Sequence, residues 1–124
     1  MIIDYKTIKI HYSISGEGST IVLLHGFLET IAMWNYLIPI LSKTHQVIAI
    51  DLLGHGQTDC LGYVHKMETM SDAVNAVLKH HKIEHADFIG HSMGGYVALA
   101  LAENHPQFFK SLCLMNSTFE ADTK

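Results

Sequence analysis

Asp87-Phe88-Ile89-Gly90-His91-Ser92-Met93-Gly94-Gly95 runs a short apolar strand into a Gly-x-Ser-x-Gly turn and straight on into a helix pattern. The helix, Met93 to Asn104, is alanine-rich and apolar almost all round, and His105-Pro106 stops it. In that setting the serine occupies a strained strand-to-helix turn that lifts its hydroxyl above a sheet. Only residues without side-chain bulk let strand and helix approach so closely, and Gly90 and Gly94 supply the space. Ser92 is therefore the candidate catalytic nucleophile. The same turn puts the Met93 N–H at a helix N-terminus, where the positive dipole end suits a developing oxyanion. His91, adjacent on the sharp turn, is expected to point elsewhere and to be structural.

Outward from this turn, three runs are continuously apolar: Ile21-Val22-Leu23-Leu24, Val47-Ile48-Ala49-Ile50 and Leu112-Cys113-Leu114-Met115. Such runs are expected of strands covered on both faces by helices. Lys6 to Ser15 instead alternates in type and ends at Gly16-Glu17-Gly18, as an outer, half-exposed strand would. Between the strands, Glu68 to His81 repeats Met70, Ala73, Val74, Val77 and Leu78 at helical spacing and closes on basic residues, and Ala32 to Leu41 reads as a further helix. Strands alternating with helices predict an α/β fold, a doubly wound, mostly parallel sheet with right-handed crossovers. Ligands of such sheets bind beyond the carboxyl ends of the strands.

Two further loops fall at those ends. His25-Gly26-Phe27-Leu28 follows the first buried strand; Gly26 lets the chain turn back toward the serine, so the Phe27 N–H is the second candidate oxyanion donor. Asp51-Leu52-Leu53-Gly54-His55-Gly56-Gln57-Thr58 follows the next. In this order the His-Gly-Phe loop, the Asp-x-x-Gly-His-Gly-x-Thr segment and Gly-His-Ser-Met-Gly-Gly resemble the α/β-hydrolase superfamily, particularly its esterase and lyase-like members, from about Lys6 to Thr118. The resemblance implies that Asp51 and His55 are architectural, holding the loop beneath the site. Relatives with aspartate at the nucleophile position resemble haloalkane dehalogenases or epoxide hydrolases, and those with cysteine dienelactone hydrolases; Ser92 fits neither.

The resemblance also implies a triad in the chain order Ser, Asp or Glu, His. Downstream of Ser92 the only histidine is His105 and the only aspartate, Asp122, follows it, which is the wrong order. Glu120 is a conceivable acid with no histidine to complete it. The family resembled continues past the Leu112–Met115 strand into a lid and two strands bearing acid and base. Residues 1–124 are thus expected to be the N-terminal part of such a domain, incompetent alone, in which Ser92 forms an acyl-enzyme with an ester-type substrate only when the rest is supplied. The alternatives are a ligand-binding or receptor-like protein, or a C–C hydrolase or lyase-like member, on the same scaffold. An exposed edge at that last strand predicts a homo-oligomer or pairing with a missing C-terminal segment.

Composition narrows the rest. With 48% hydrophobic residues in 124, one packed core is the expectation. No apolar run approaches the ~20 residues of a membrane span, and the first residues lack a signal peptide's pattern, so a cytoplasmic protein without membrane attachment is expected. The net charge is −4 and all eight basic residues are lysine, which argues against nucleic-acid binding and for a small, mainly apolar substrate. No nucleotide loop occurs, so no cofactor is expected. His80, His81 and His85 lie close in sequence, but adjacent helical positions diverge by ~100° and nothing completes a tetrahedral set, so no metal is expected. Cys60 and Cys113 read as buried thiols.

Overall fold

Along the strand Thr20–Leu24 every side chain is buried, and successive residues divide between two cores. Val22 and Leu24 point to one face and Ile21 and Leu23 to the other, the period-two alternation of a strand covered on both sides. The computed structural model describes residues 1–5, 8–26, 30–52 and 67–115. Their strands are β1 (Ile2–Tyr5), β2 (Ile8–Ser15), β3 (Thr20–Leu24), β4 (Gln46–Ile50), β5 (Ala86–His91) and β6 (Phe109–Met115), and their helices are α1 (Ile38–Leu41), α2 (Met67–His80) and α3 (Met93–Asn104). The six strands form one sheet in the order β1-β2-β4-β3-β5-β6. From β4 to β6 the pairing is parallel; β2 runs antiparallel to β4, and β1 antiparallel to β2.

The larger core gathers Val22, Leu24, Ile48, Ile50 and Phe88 from the sheet under Met70, Ala73, Val74, Val77 and Leu78 of α2 and Val97, Ala98 and Leu101 of α3. Each of the valine, leucine, isoleucine, phenylalanine and methionine side chains among them contributes ~1.5–3 kcal/mol on burial. Phe88 also stacks on Phe109, ring centroids 4.0 Å apart, tying β5 to β6 within that core. The opposite face packs Ile21, Leu23, Val47 and Ala49 against the fully buried Trp34.

Three differences from the sequence reading have local causes. The strand over Lys6 to Ser15 is not outermost among the described residues, because β1 pairs outside it, with Ile3 opposite Ile10. The helix expected over Ala32 to Leu41 is two short pieces, a 3-10 turn at Ile31–Trp34 and α1. Pro39 lacks the N–H that would bond back to the Asn35 carbonyl, and its ring crowds that oxygen, so no helix runs through 35–39. Cys113 is exposed rather than buried. It alternates with Leu112, which packs on the larger core, and so faces the other side of β6, where the 3-10 turn and α1 cover β3 and β4 instead. Cys60 lies outside the described residues.

Parallel pairing gives the sheet two unlike ends. The carboxyl ends of β3, β4 and β5 run into His25, Asp51 and Ser92. At the opposite end a cleft is lined by Gly18, Ser19, Thr20, His85 and Lys110. Among the described residues no helix is long and apolar enough to cross a membrane.

Candidate active site

Ser92 joins β5 to α3 with φ 53° and ψ −114°, a left-handed backbone that side chains seldom adopt. Holding a non-glycine residue there costs about 1–3 kcal/mol and persists only where the surroundings over-determine it. They do so here from both sides. The Ser92 N–H donates to the Met115 carbonyl on β6 at 3.1 Å, and the Ser92 carbonyl accepts from the Gly95 and Tyr96 N–H groups at 2.9 and 3.4 Å. The Ser92 side chain makes no capping bond to α3.

The two flanking glycines are required by contact. A Cβ on Gly90 would lie 2.6 Å from the Gly95 Cα, and one on Gly94 would lie 2.1 Å from the Leu24 carbonyl oxygen and 2.6 Å from that of His25. Gly94 therefore seats the first turn of α3 directly on the end of β3, bringing the serine turn beside the His25-Gly26 loop. Met93 is the first residue of α3, and the helix itself offers its N–H no acceptor. Gly26 is buried at the end of β3; Phe27, the other proposed donor, lies outside the described residues, as do His55, Glu120 and Asp122. His91 ends β5 in register with Met115, and alternation puts it on the Ile89 face of the sheet.

Two histidines to which the sequence reading assigned no role organise the neighbourhood. His25 is fully buried; its Nε2 accepts the Leu52 N–H at 2.9 Å, which leaves Nδ1–H to donate to the Gly26 carbonyl at 2.8 Å. That is the neutral imidazole. His11, on β2, places Nδ1 2.9 Å from Asp51 Oδ2, while Asp51 Oδ1 accepts the Ile31 N–H at 2.8 Å. With 2% exposure and both oxygens engaged by structural partners, Asp51 braces the chain where the 3-10 turn begins. A histidine directly after a buried apolar strand is a signal available in sequence for His25. None exists for His11, which occupies an ordinary outward position of an alternating strand.

His105 caps the far end of α3, where about 1.5 Å of rise per residue carries it ~20 Å from Ser92. Among the described residues no three His, Cys, Asp or Glu side chains gather as they would around a metal ion. His80 and His81 meet edge to face with centroids 5.1 Å apart, and His85 Nδ1 donates to the Gln107 carbonyl at 3.0 Å. His81 Nε2 also meets the Tyr12 hydroxyl. Burial, and then the charge of His80, lower the His81 pKa, and burial raises that of Tyr12.

The chain is similar in sequence and in fold to known proteins. Over 107 residues the chain is 39% identical to a dihydrolipoyllysine-residue acetyltransferase component of the acetoin cleaving system of Pseudomonas putida, covering 86% of this chain and 29% of that protein. It is 36% identical over 107 residues to a 2-hydroxymuconate semialdehyde hydrolase of Pseudomonas sp. (strain CF600), covering 83% and 38%. The solved structure of Est816, described as an N-acyl homoserine lactone degrading enzyme, superposes with a TM-score of 0.91 at 33% identity, over 94% of this chain and 45% of that one. The chain thus spans less than half the length of each. Residues 19–124 match the family described as alpha/beta hydrolase fold. With the serine turn, its two glycines and the sheet order all in one frame, the chain belongs to the alpha/beta hydrolase fold family.

Proposed function

We propose that Ser92 is the nucleophile of a hydrolase that cleaves a carboxylic ester through an acyl-serine intermediate. The observation that carries this is the left-handed turn at Ser92, held between Gly90 and Gly94 at the carboxyl end of the sheet. Such strain at a residue with a reactive hydroxyl supports a chemical role over a packing one. In this reading Ser92 Oγ attacks the substrate carbonyl, and the N–H groups of Met93 and Phe27 stabilise the oxyanion. A histidine must take the serine proton, and His105 is too distant to do so. The activity proposed is accordingly that of the whole protein, and residues 1–124 by themselves are expected to turn over esters very poorly. Est816, described as degrading an N-acyl homoserine lactone, acts on a substrate that contains a cyclic ester, which supports the ester reading.

The test is turnover of a small activated ester by the full protein and its Ser92→Ala variant. The variant is expected to lose at least about a thousandfold in kcat, with a fluorophosphonate adding covalently to the parent alone. An undiminished rate in the variant would remove Ser92 from the chemistry. Similarity to the 2-hydroxymuconate semialdehyde hydrolase favours a second reading, hydrolysis of a carbon–carbon bond. Rapid cleavage of a dienol-type keto acid beside slow ester turnover would select it, and ligand binding without turnover of either would indicate a receptor-like role.

A further inference from the structure

β1 is an outer strand of the sheet, with β2 on one side and, among the described residues, no strand on the other. The Tyr12 N–H donates to the Met1 carbonyl at 2.9 Å, which fixes the parity of the ladder in the register Ile2 opposite His11 and Ile3 opposite Ile10. Residues that exchange hydrogen bonds across an antiparallel pair alternate with residues that do not. Ile3 therefore turns its N–H and C=O groups toward β2, and Ile2 and Asp4 turn theirs outward, away from the sheet.

Most devices that guard an open edge are missing from β1. Its register with β2 is unbroken, it holds no proline, and its one charged side chain, Asp4, is neutralised by Lys9 at 2.9 Å. Ile2 is 57% exposed on this edge, an apolar residue left in water. Beside it, Ala76, Lys79 and His80 of α2 leave a cleft of about 620 Å³ against Ile2, Ile3 and Asp4. The strand that fits this edge is β1 itself. Laid antiparallel to its own copy about a two-fold axis at Ile3, it sets Ile2 opposite Asp4 of the second copy and Asp4 opposite Ile2. Each of these pairs exchanges both of its hydrogen bonds, so no outward group on Ile2 or Asp4 is left unpaired in either copy. Ile3 then meets Ile3 at the closer, non-hydrogen-bonded position, on the face where Ile3 already belongs to the larger core. Each Asp4 arrives with its own Lys9, so no bare charge is brought against Ile2.

We propose that β1 is a self-pairing edge through which two copies of the whole protein form one continuous sheet.

The experiment uses the full protein. Light scattering at about 100 micromolar is expected to report a dimer. Asp4→Pro deletes an outward N–H without touching a bond to β2, a position where an edge strand tolerates proline. It is expected to raise the dimer dissociation constant at least about thirtyfold, whereas Asp4→Asn, which keeps that N–H, stays within a few-fold of the parent. Ile2→Lys, which puts a charge on the edge, is expected to give a monomer with an unchanged melting midpoint. With the native cysteines replaced by serine, Ile3→Cys is expected to cross-link two copies under mild oxidation, a readout that also separates this pairing from one through β6. A monomeric parent overturns the proposal, as does a dimer that persists in both Asp4→Pro and Ile2→Lys or that Ile3→Cys does not cross-link.

Discussion

Gly94 shows how narrowly a single residue can be constrained. The atoms that its missing Cβ would strike are the carbonyl oxygens of Leu24 and His25, backbone atoms of a fully buried strand end that cannot swing aside as a flexible side chain could. Gly94→Ala is expected to lower stability by about 2–3 kcal/mol, read as a fall in the urea midpoint at unchanged slope. An unchanged midpoint would mean that α3 sits farther from β3 than described. At this scale the sequence was readable where spacing is chemistry. Gly-x-Ser-x-Gly between a strand and a helix places Ser92, Gly90, Met93 and Gly94 without coordinates. His11 was not readable, because its role comes from pairing β2 with β4, a contact across 40 residues that leaves no local pattern. Cys113 was misread for a related reason: an apolar run identifies a strand but not which of its faces is covered.

Between elements, the pair Tyr12 and His81 fastens the middle of β2 to the end of α2. His81 is easier to protonate in the unfolded chain than in the folded one, since burial and the neighbouring His80 lower its pKa below the usual 6.5. The unfolded state therefore binds the extra proton first as pH falls. Its stabilising contribution is fully present above about pH 6.5 and is lost progressively as pH drops toward the lowered folded value. Urea midpoints measured from about pH 7.5 down to about pH 5 are expected to decline, and His81→Gln to flatten that decline. An equal slope in the variant would assign the loss to other groups. Periodicity located α2 and α3 to within a residue, because one apolar side per turn and buried alanines are written in the sequence. It over-extended the helix at Ala32 to Leu41, where apolar content masked the break ahead of Pro39, and it did not find β1, four residues too short for a pattern.

For the molecule as a whole, β6 has a strand neighbour on one side only among the described residues, and Ser111 and Cys113 are exposed on it. A seven-residue edge of this kind is a template for pairing. Light scattering on residues 1–124 at micromolar concentration is expected to report a dimer or larger species, and a cooperatively melting monomer would contradict that expectation. The two unlike ends of the sheet have a practical corollary. Lys43 precedes β4, Lys79 and Lys82 lie between the last turn of α2 and the start of β5, and Lys110 is the second residue of β6. All four are exposed, and all stand at the amino ends of the parallel strands, opposite Ser92. Tethering to a bead or sensor chip through any of these four amines would leave the serine turn facing away from the support, whereas tethering through Lys9, exposed at the start of β2 toward the carboxyl end of β4, would turn it the other way.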